Sequence, residues 1–402
     1  MKALMVTTIG VTLRAFLLPL TRALRDTGWT VDALTHDDGT SLDGDFDAVH
    51  EIGWTRSPLS LLRVQRFARE IRELVEHEEY DVVHVHTPIA AFVTRLALAE
   101  MRERDGQGGV YRPCWANKPR IIYTAHGLHF YKGAGISAFA YRAAERLVIH
   151  GTDTLVVMND EDEVAGANLC ALTVGSERVC ELRRIDGMGF DFAAFGTAAA
   201  AADGAAIRAE RGIDADAFVV GVIAELSANK RHRLVLDAVR LLKERSEREH
   251  RKHAQRTAPV RFVFIGSGPL ERRLRAYVRQ HNLADSVHFT GAVPFADIPA
   301  LCVACDLGLL VSKREGLPRS LMEFVAASVP IVGTRTRGIT DEVRNANALC
   351  EPTPEALADL IEHWATATPQ ERTTLAATQH SHALAHYDTS VVIPQYLELY
   401  QQ

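Results

Sequence analysis

The chain has 402 residues, of which 47% are hydrophobic and 24% are charged, and its formal net charge is −6. This composition predicts a folded protein with room for two domains and excludes a chain dominated by disorder. The acidic balance argues against nucleic acid as the main partner, because binding to a phosphate backbone needs a positive surplus on one face. No apolar run approaches the ~20 residues that cross a bilayer, and the first residues show no signal-peptide cleavage pattern. We therefore expect a cytoplasmic protein.

Short β-branched segments alternate with amphipathic helical segments along the chain. Strands that alternate with helices predict parallel sheets, and the alternation occurs in two series. The first series of strands is at residues 3–7, 30–34, 82–86, 121–124 and 154–158. The second is at residues 218–224, 260–265, 287–290, 307–311 and 330–333. The sequence therefore predicts an α/β protein with two parallel-sheet domains.

An alanine-rich stretch at residues 195–206 separates the two series. It buries little apolar surface and is typical of an interdomain linker or of a weak helix beside one. A boundary at residue 195 gives an N-terminal domain of residues 1–195 and a C-terminal domain of residues 196–388. Residues 389–402 include an amphipathic helix with Tyr396 and Tyr400 on one face. This pattern does not say which domain the helix contacts.

A basic amphipathic pattern occupies residues 57–78, where Arg63, Arg66, Arg69 and Arg72 alternate with apolar side chains. Such a helix could rest on an anionic lipid surface. A helix with its apolar side on a protein core and its basic side in water has the same pattern. Both alternatives stay open.

Six cysteines lie at positions 114, 170, 180, 302, 305 and 350. They lack the paired clusters of a disulfide scaffold or a zinc site, so we expect reduced thiols. Cys302 and Cys305 come closest to a pair, but they lie in an apolar helical stretch without a second pair. We interpret them as small core residues.

Several histidines lie on or after strands of the first series. His126 follows the strand at residues 121–124, at the edge where parallel sheets bind ligands, and His129 and Lys132 lie in the same loop. His84 and His86 alternate along one strand, so they face the same side. Two such histidines could begin a metal site, but no carboxylate or cysteine neighbour supports one. We favour packing or a polar role at a ligand site.

A basic turn follows the first strand of the second series and includes Asn229, Lys230, Arg231 and His232. Cations at a helix start oppose the field of the helix, so this cluster is most easily understood if an anion lies between its members. A solvated basic turn is the alternative interpretation.

Two glycines, Gly266 and Gly268, follow the next strand of this series. They permit a tight strand-to-helix turn that can approach a nucleotide closely. A single Gly-x-Gly is a weak signal for nucleotide binding.

The most informative segment is residues 313–324, which follows an apolar strand and opens a helix. Gly316 permits a close approach of the backbone to a ligand, and Pro318 suits the first helical turn. The amide groups that follow have no intrahelical partners, and each would contribute ~1.5–3 kcal/mol by bonding to an anion. Glu315 lies in the loop and Glu323 inside the helix, so the two carboxylates bracket the expected anion. An acidic residue near a helix start is also common on structural grounds alone.

These segments resemble family 4 of the glycosyltransferases, retaining enzymes with the GT-B fold, in which two Rossmann-like domains face each other across a cleft. The resemblance covers nearly the whole chain. Its most specific part is the Glu-x7-Glu signature from Glu315 to Glu323, followed by the basic turn ending in Lys230 and by the glycine turn at residues 266–268. Residues 81–88 and 126–133 resemble a bacterial subgroup that builds capsules, exopolysaccharides and glycan chains on lipid carriers.

The resemblance implies transfer of a hexose-type sugar from a nucleotide diphosphate sugar, expected to be a UDP-sugar, to a glycan or polyprenyl-diphosphate-linked acceptor. The second domain would bind the donor and the first the acceptor, with the last helix, residues 389–402, crossing back to the first domain. No metal or other cofactor is implied, and nucleic acid is not expected as a partner. A lipid-linked acceptor would make peripheral contact with the inner face of the membrane natural.

The resemblance also implies roles for single residues. The expected catalytic residues are His126, Lys230 and Glu315. On the donor, Glu323 would hold the ribose, Glu315 the transferred sugar, and Lys230 with the backbone of Gly316 and Leu317 the diphosphate. The other expected donor residues are Glu225, Asn229, Gly266, Gly268 and Arg319, and the acceptor-side residues are His84, His86, His129 and Lys132.

One position departs from the family pattern. Many members place an arginine a few residues before the lysine, where this chain has Glu225. Either the subgroup dispenses with that cation or another one, such as Arg319, replaces it.

Without an enzymic nucleophile, retaining transfer is pictured as front-face attack, in which the departing diphosphate helps to deprotonate the acceptor hydroxyl.

Three other functions would use some of the same sequence features. A glycosidase needs two carboxyl groups that flank a glycosidic bond, whereas Glu315 and Glu323 share one loop and helix. A nucleotide-sugar epimerase of the same architecture and an inactive nucleotide-sugar-binding protein remain alternatives, because fold alone does not decide the reaction.

Overall fold

The structure is a computed structural model that describes residues 1–55, 57, 62–99, 102–104, 111–113, 119–130, 137–171, 173–174, 177–178, 180–252 and 258–401. Contacts divide the chain into two units. Unit 1 is Met1–Gly189 together with Thr389–Gln402, and unit 2 is Phe190–Asp388. The division at residue 189 falls slightly before the expected boundary at residue 195.

The strands of unit 1 are β1 (Lys2–Ile9), β2 (Thr30–His36), β3 (Val49–Glu51), β4 (Val82–His86), β5 (Arg102–Arg104), β6 (Tyr111–Pro113), β7 (Arg120–Thr124), β8 (Thr154–Val157), β9 (Thr173–Val174), β10 (Glu177–Arg178) and β11 (Glu181–Arg184). A parallel sheet has the order β11-β8-β7-β4-β1-β2-β3, while β5-β6 and β9-β10 form short antiparallel pairs. The predicted strands of this half are confirmed to within two residues at either end. The edge strands β3 and β11 are not predicted, because they lack an apolar run.

The helices of unit 1 before its chain leaves for unit 2 are α1 (Gly10–Thr12), α2 (Leu18–Asp26), α3 (Val64–Glu78), α4 (Pro88–Ala99), α5 (Ser137–Val148) and α6 (Asp160–Cys170). A π-helical turn, Leu13–Leu17, joins α1 to α2, and a 3-10 turn, Ile149–Gly151, follows α5. In α3 the side chains of Phe67, Ile71 and Val75 are buried in the core of unit 1. This burial favours the core-facing interpretation of the basic amphipathic segment.

The strands of unit 2 are β12 (Phe218–Ile223), β13 (Val260–Ile265), β14 (Val287–Gly291), β15 (Leu307–Leu310), β16 (Ile331–Thr334) and β17 (Leu349–Cys350). They form a parallel sheet with the order β14-β13-β12-β15-β16-β17. The five predicted strands are confirmed to within one residue. Two parallel sheets, each covered by helices, establish the α/β fold class with two Rossmann-like units.

The helices of unit 2 are α7 (Phe192–Ala200), α8 (Gly204–Glu210), α9 (His232–Lys252), α10 (Glu271–Gln280), α11 (Ile298–Val303), α12 (Arg319–Ala326), α13 (Ile339–Val343), α14 (Pro354–Thr366) and α15 (Pro369–Tyr387), with 3-10 turns at Phe295–Asp297 and Ala346–Ala348. The alanine-rich stretch at residues 195–206 is therefore largely helical, as its second interpretation allows. Small residues let these helices pack closely, since a Cβ at Gly204 would lie 2.6 Å from the carbonyl oxygen of Val303.

The last helix, α16 (Thr389–Gln401), belongs to unit 1 and packs against α2. Tyr396 and Tyr400, which share one face of α16, are both buried in the unit 1 core. The Tyr396 hydroxyl donates to the carbonyl oxygen of Gly187 over 3.0 Å. The tyrosine face thus fixes α16 to unit 1.

The cysteines correct one expectation. Cys170, at the end of α6, is disulfide-bonded to Cys180, just before β11, so the expectation of reduced thiols is wrong for this pair. The pairing could not be predicted from the cysteine spacing. It depends on the return of the chain to the sheet edge, which brings the two Cα atoms to 5.1 Å from each other. Cys302 and Cys305 are free and buried, which confirms their interpretation as core residues. Cys114 lies outside the described residues.

None of the helices that the structure describes combines the length and the apolar character needed to cross a membrane.

Candidate active site

Four loops of unit 2 follow strands β12, β13, β15 and β16 and therefore meet at one edge of the sheet. The carboxyl edge of an open parallel sheet is the usual place for a ligand, because loops from neighbouring strands converge there. The predicted donor residues come from the first three of these loops and from the helix that follows β15.

The central contact of this edge joins Lys230 to Glu315. The Lys230 Nζ lies 2.6 Å from the Glu315 Oε1, and the two side chains are 22% and 13% exposed. Asn229 fixes the two loops together: its carbonyl oxygen accepts from the Lys313 backbone N–H over 2.8 Å, and its Nδ2 donates to the Arg314 carbonyl oxygen over 3.1 Å. The structure thus brings three predicted site residues into one cluster.

The glycine turn packs against the loop that follows β12. Gly266 has a φ of 137°, and a Cβ there would lie 2.4 Å from the carbonyl oxygen of Ala224. A Cβ at Gly268 would lie 2.7 Å from the backbone nitrogen of Leu226, whose N–H donates to the Ser267 carbonyl oxygen. Both glycines are therefore required for loop packing, whatever ligand the turn approaches.

Helix α12 begins at this edge, and no side chain caps its first turn. Pro318 stands at its N-cap position and has no polar side chain that could cap the first turn. Gly316 is buried and Leu317 is partly buried just before it. The first amides of the helix and its positive end therefore form a ready anion site beside Lys230 and Glu315.

Glu323 is buried inside α12, with 4% of its surface exposed. Burial raises the pKa of this carboxyl, while Arg319, whose Nε lies 3.1 Å from the Glu323 Oε1, opposes the increase. The Arg319 guanidinium also lies over the ring of Phe190, 5.0 Å from its centroid. Arg319, the suggested replacement for the family arginine, is thus engaged by Glu323. Glu225 itself is exposed.

The expected cluster of three cations at the start of α9 needs a correction. His232 is only 1% exposed, and neither of its ring nitrogens has a hydrogen-bond partner among the described residues. Burial, with help from the nearby Lys230 charge, lowers the pKa of His232 to about 4, so the ring is neutral at neutral pH. It packs edge-on against Phe264. The basic turn therefore offers Lys230 and Arg231 as cations, without the histidine.

The loop after β16 supplies neighbours of Glu315 that the sequence reading missed. The Arg337 Nε donates to the Glu315 carbonyl oxygen over 3.3 Å, and the Glu315 N–H donates to the Arg337 carbonyl oxygen over 3.2 Å. Gly338 has a φ of 80°, and a Cβ there would lie 2.7 Å from the Glu315 Cβ. This loop directly follows a predicted strand, and that position could have identified the loop as part of the site.

Glu342, in α13, is a further residue that the sequence analysis did not predict. Its side chain is 4% exposed, and its Oε1 has no hydrogen-bond partner among the described residues. Burial, followed by the charges of Glu315 and Asp341, raises the pKa of this carboxyl well above its usual value. The protonated form of Glu342 is therefore favoured relative to that of an exposed glutamate.

In unit 1, His126 begins the loop after β7. Gly127, which follows it, has a φ of 104°, and the Leu128 N–H donates to both carboxylate oxygens of the buried Asp162 over 3.2 Å. The His126 Nε2 lies 3.1 Å from the His86 Nδ1. Burial lowers the pKa of His126 to about 4, so this imidazole is neutral at neutral pH.

The other predicted acceptor-side residues differ in exposure. His84 is fully buried, and its two ring nitrogens already contact the hydroxyls of Tyr400 and Thr124, at 2.7 and 2.8 Å. Both nitrogens of His84 therefore have partners within unit 1, which favours the packing interpretation of this histidine. His86 is also fully buried, and His129 is partly exposed, with its ring 4.8 Å from that of Tyr141. Lys132 lies outside the described residues.

Within the part of the chain that the structure describes, no three His, Cys, Asp or Glu side chains are grouped as a metal site.

Family comparisons agree with the two-unit architecture. Residues 203–379 match the family described as "Glycosyl transferases group 1", and residues 12–165 match the one described as "Glycosyl transferase 4-like domain". Each matched range falls within one unit.

Curated relatives include two bacterial glycosyltransferases. The chain is 27% identical over 345 residues to the putative glycosyltransferase EpsD of Bacillus subtilis, which covers 86% of this chain and 81% of that protein. It is 32% identical over 127 residues to the putative colanic acid biosynthesis glycosyltransferase WcaL of Escherichia coli, which covers 30% of this chain and 29% of that one.

Solved structures share the fold over the full chain. HepE of Anabaena, in complex with UDP and glucose, aligns with a TM-score of 0.74 at 18% identity, covering 100% of both chains. Sucrose-phosphate synthase of Thermosynechococcus elongatus aligns with a TM-score of 0.73 at 16% identity, covering 100% of this chain and 98% of that one. Together, the two matched domains, the relatives and the fold identify the chain as a glycosyltransferase with the GT-B fold.

Proposed function

We propose that this enzyme transfers a hexose-type sugar from a UDP-sugar to a glycan or polyprenyl-diphosphate-linked acceptor, with retained anomeric configuration, in cell-surface polysaccharide synthesis. The observation that carries the proposal is the contact between Lys230 and Glu315, near the start of α12, which no side chain caps. The names of the relatives EpsD and WcaL, the second linked to colanic acid, support the pathway. The complexes of HepE with UDP and glucose support the donor class.

Lys230 and the start of α12 would stabilise the departing diphosphate. In the free enzyme the Lys230 ammonium is neutralised by the Glu315 carboxylate, 2.6 Å away. A diphosphate carries more negative charge than one carboxylate, so it competes for the ammonium and leaves Glu315 to accept from sugar hydroxyls. Positive charge from Lys230, the helix field and Arg337 would then serve the leaving group without a metal ion.

The transfer step follows from this arrangement of charge. The bond from the anomeric carbon to the diphosphate oxygen breaks, and a bond to the acceptor oxygen forms on the same face of the sugar. The acceptor proton passes to the departing diphosphate. The enzyme would contribute electrostatic stabilisation of that group, with Glu323 holding the ribose and His126 contacting a sugar oxygen.

The site of action would be the cytoplasm, with peripheral contact to the inner membrane face when the acceptor is lipid-linked. The exposed side of α3 carries Arg66 and Arg69, and Leu62 just before it is 83% exposed. Binding to vesicles with anionic lipid at low salt, reversed by added salt, would support this contact. Equal recovery of the protein from supernatants with and without vesicles would contradict it.

The direct test is a transfer assay in excess EDTA with a panel of nucleotide diphosphate sugars and a synthetic prenyl-diphosphate-linked sugar. The expected product carries one added hexose, and its anomeric coupling in proton NMR matches that of the donor. An isomerised donor formed without acceptor would instead identify an epimerase. Inversion at the anomeric carbon, or a strict requirement for metal, would contradict the proposal.

A further inference from the structure

Three imidazoles lie together at the carboxyl end of β4 and β7 in unit 1. His84 and His86 alternate along β4 and stack with ring centroids 4.1 Å apart. His86 also contacts His126, with 3.1 Å between the His86 Nδ1 and the His126 Nε2. His84 and His86 are fully buried, whereas His126 is partly exposed. The cluster thus runs from the interior of unit 1 to a residue at its surface.

His84 is the structural member of this cluster. Its Nδ1 contacts the hydroxyl of Tyr400 in α16, and its Nε2 contacts the hydroxyl of Thr124 in β7. Both nitrogens have partners that can donate or accept, so His84 ties α16 to the sheet in either tautomer.

His86 differs because only one of its nitrogens is engaged. Its Nδ1 faces His126, while its Nε2 is buried and has no hydrogen-bond partner among the described residues. Burial and the neighbouring rings keep the pKa of His86 well below its usual value, so both members of the pair are neutral. In a neutral pair, the contact holds one proton, on either the His86 Nδ1 or the His126 Nε2.

The unpartnered Nε2 decides between these two arrangements. If the His126 Nε2 held the proton, the single proton of His86 would sit on its Nε2, as a buried N–H without an acceptor. If the His86 Nδ1 holds the proton, its Nε2 is a bare lone pair. Orphaned buried N–H groups are rarer in proteins than under-satisfied acceptors, so the second arrangement is favoured.

We propose that His86 is a positioning residue that donates its Nδ1–H to the His126 Nε2 and thereby holds His126 as the Nδ1–H tautomer. His126 then presents an N–H donor, which suits a sugar or acceptor oxygen and cannot serve as a base at that nitrogen. The contribution of this tautomer to turnover rests on the proposed transferase function. The tautomer itself is a property of unit 1 and can be measured without any substrate.

The test is long-range proton–nitrogen NMR of the full-length enzyme labelled with ¹⁵N-histidine at pH 7.5. A His126→Gln variant assigns the His126 signals among those of the 17 histidines. The expected pattern is a protonated Nδ1 and an unprotonated Nε2 on His126. The opposite pattern in the wild-type enzyme overturns the proposal, whether or not a sugar donor is ever found.

Variants at position 86 separate positioning from packing. His86→Asn keeps an N–H donor near the place of the Nδ1 and should preserve the His126 tautomer, whereas His86→Leu should lose it. Tyr400→Phe removes a hydrogen bond from the same cluster without touching His126, and it should leave the tautomer unchanged. An unchanged tautomer in a folded His86→Leu enzyme contradicts the proposal, and if that variant does not fold, a lost tautomer in His86→Asn does so.

Turnover supplies the functional readout. His86→Leu should lower kcat about 10- to 100-fold, the scale of a misplaced catalytic group, with a smaller change in donor KM, and His86→Asn should restore part of the loss. Equal kcat in wild type and a folded His86→Leu enzyme would overturn the role in turnover.

Discussion

The Lys230 Nζ and the Glu315 Oε1 lie 2.6 Å apart, although 85 residues separate the two side chains in sequence. The contact joins the loop after β12 to the loop after β15, and Asn229 reinforces it with backbone and side-chain hydrogen bonds. The lysine that we propose to stabilise the leaving group is thereby held in place by a carboxylate. The partly buried pair costs less to break than a fully buried one, because water still reaches both groups.

Replacement of Lys230 by alanine tests the leaving-group role. We expect kcat to fall about 10²- to 10³-fold, the usual effect of losing one preorganised donor to a developing charge, while the midpoint of thermal unfolding changes little. The measurement is steady-state transfer together with thermal denaturation. Lys313→Ala is the matched control, because Lys313 is an exposed lysine of the adjacent loop. Equal losses in the two variants would contradict the assignment.

Replacement of Gly338 tests whether the loop after β16 holds Glu315 in position. A methyl group there would lie 2.7 Å from the Glu315 Cβ, and the φ of 80° is unfavourable for alanine. Gly338→Ala should therefore reduce both stability, by about 1–3 kcal/mol, and transfer activity. Gly212→Ala is the control for backbone strain alone, since Gly212 has a φ of 65° and nothing within 4 Å of a Cβ. If Gly338→Ala behaves like Gly212→Ala in transfer assays, the contact does not position Glu315.

The buried carboxyl of Glu342 leads us to predict that its replacement by glutamine stabilises the protein. Burial raises the pKa of this carboxyl in the folded chain, whereas the unfolded chain ionises it near 4.5, so its contribution to stability falls as pH rises above 4.5. Glu342→Gln removes this loss and should raise the free energy of unfolding by about 1–3 kcal/mol at pH 8, with little gain at pH 4.5. Urea denaturation at both pH values measures the difference. A variant that is less stable at pH 8 would show that the carboxylate is needed ionised.

The buried histidines predict acid sensitivity in unit 1. Burial lowers the pKa of His84 to about 3, while the unfolded chain protonates it near 6.5. Its neutral form therefore stabilises the fold fully above pH 6.5, and this contribution is lost toward pH 3, at up to about 1.4 kcal/mol per pH unit. His84→Gln should flatten the fall in unfolding free energy between pH 6.5 and 4. His77→Gln, at a side chain that is 84% exposed, should not; identical slopes in the two variants would refute the burial argument.

Much of the fold could be predicted from sequence because its signals are local. Apolar runs such as residues 218–223 mark central parallel strands, and the helix start at Pro318 follows from residue types alone. The contact of Lys230 with Glu315 was not predicted, but both residues follow strands of one sheet, and that placement brings them to the same edge.

The remaining features depend on contacts that form only when the chain folds. Tyr400 meets His84 across 316 residues, and Cys170 meets Cys180 only after the chain returns to the sheet edge. Glu342 looks like an ordinary polar helix residue in sequence, and only the packing around α13 buries it. No periodicity or motif in the sequence marks these contacts, so only the folded structure reveals them.

The most direct measurement is calorimetric titration of the enzyme with UDP in excess EDTA, repeated with Glu323→Ala and with the exposed control Glu355→Ala. The account predicts metal-free binding by the wild type and the control, with an affinity about 10- to 100-fold lower in Glu323→Ala because a charged hydrogen bond to the ribose is lost. Absence of UDP binding without metal, or equal affinity in all three proteins, would contradict a metal-independent donor site built on α12.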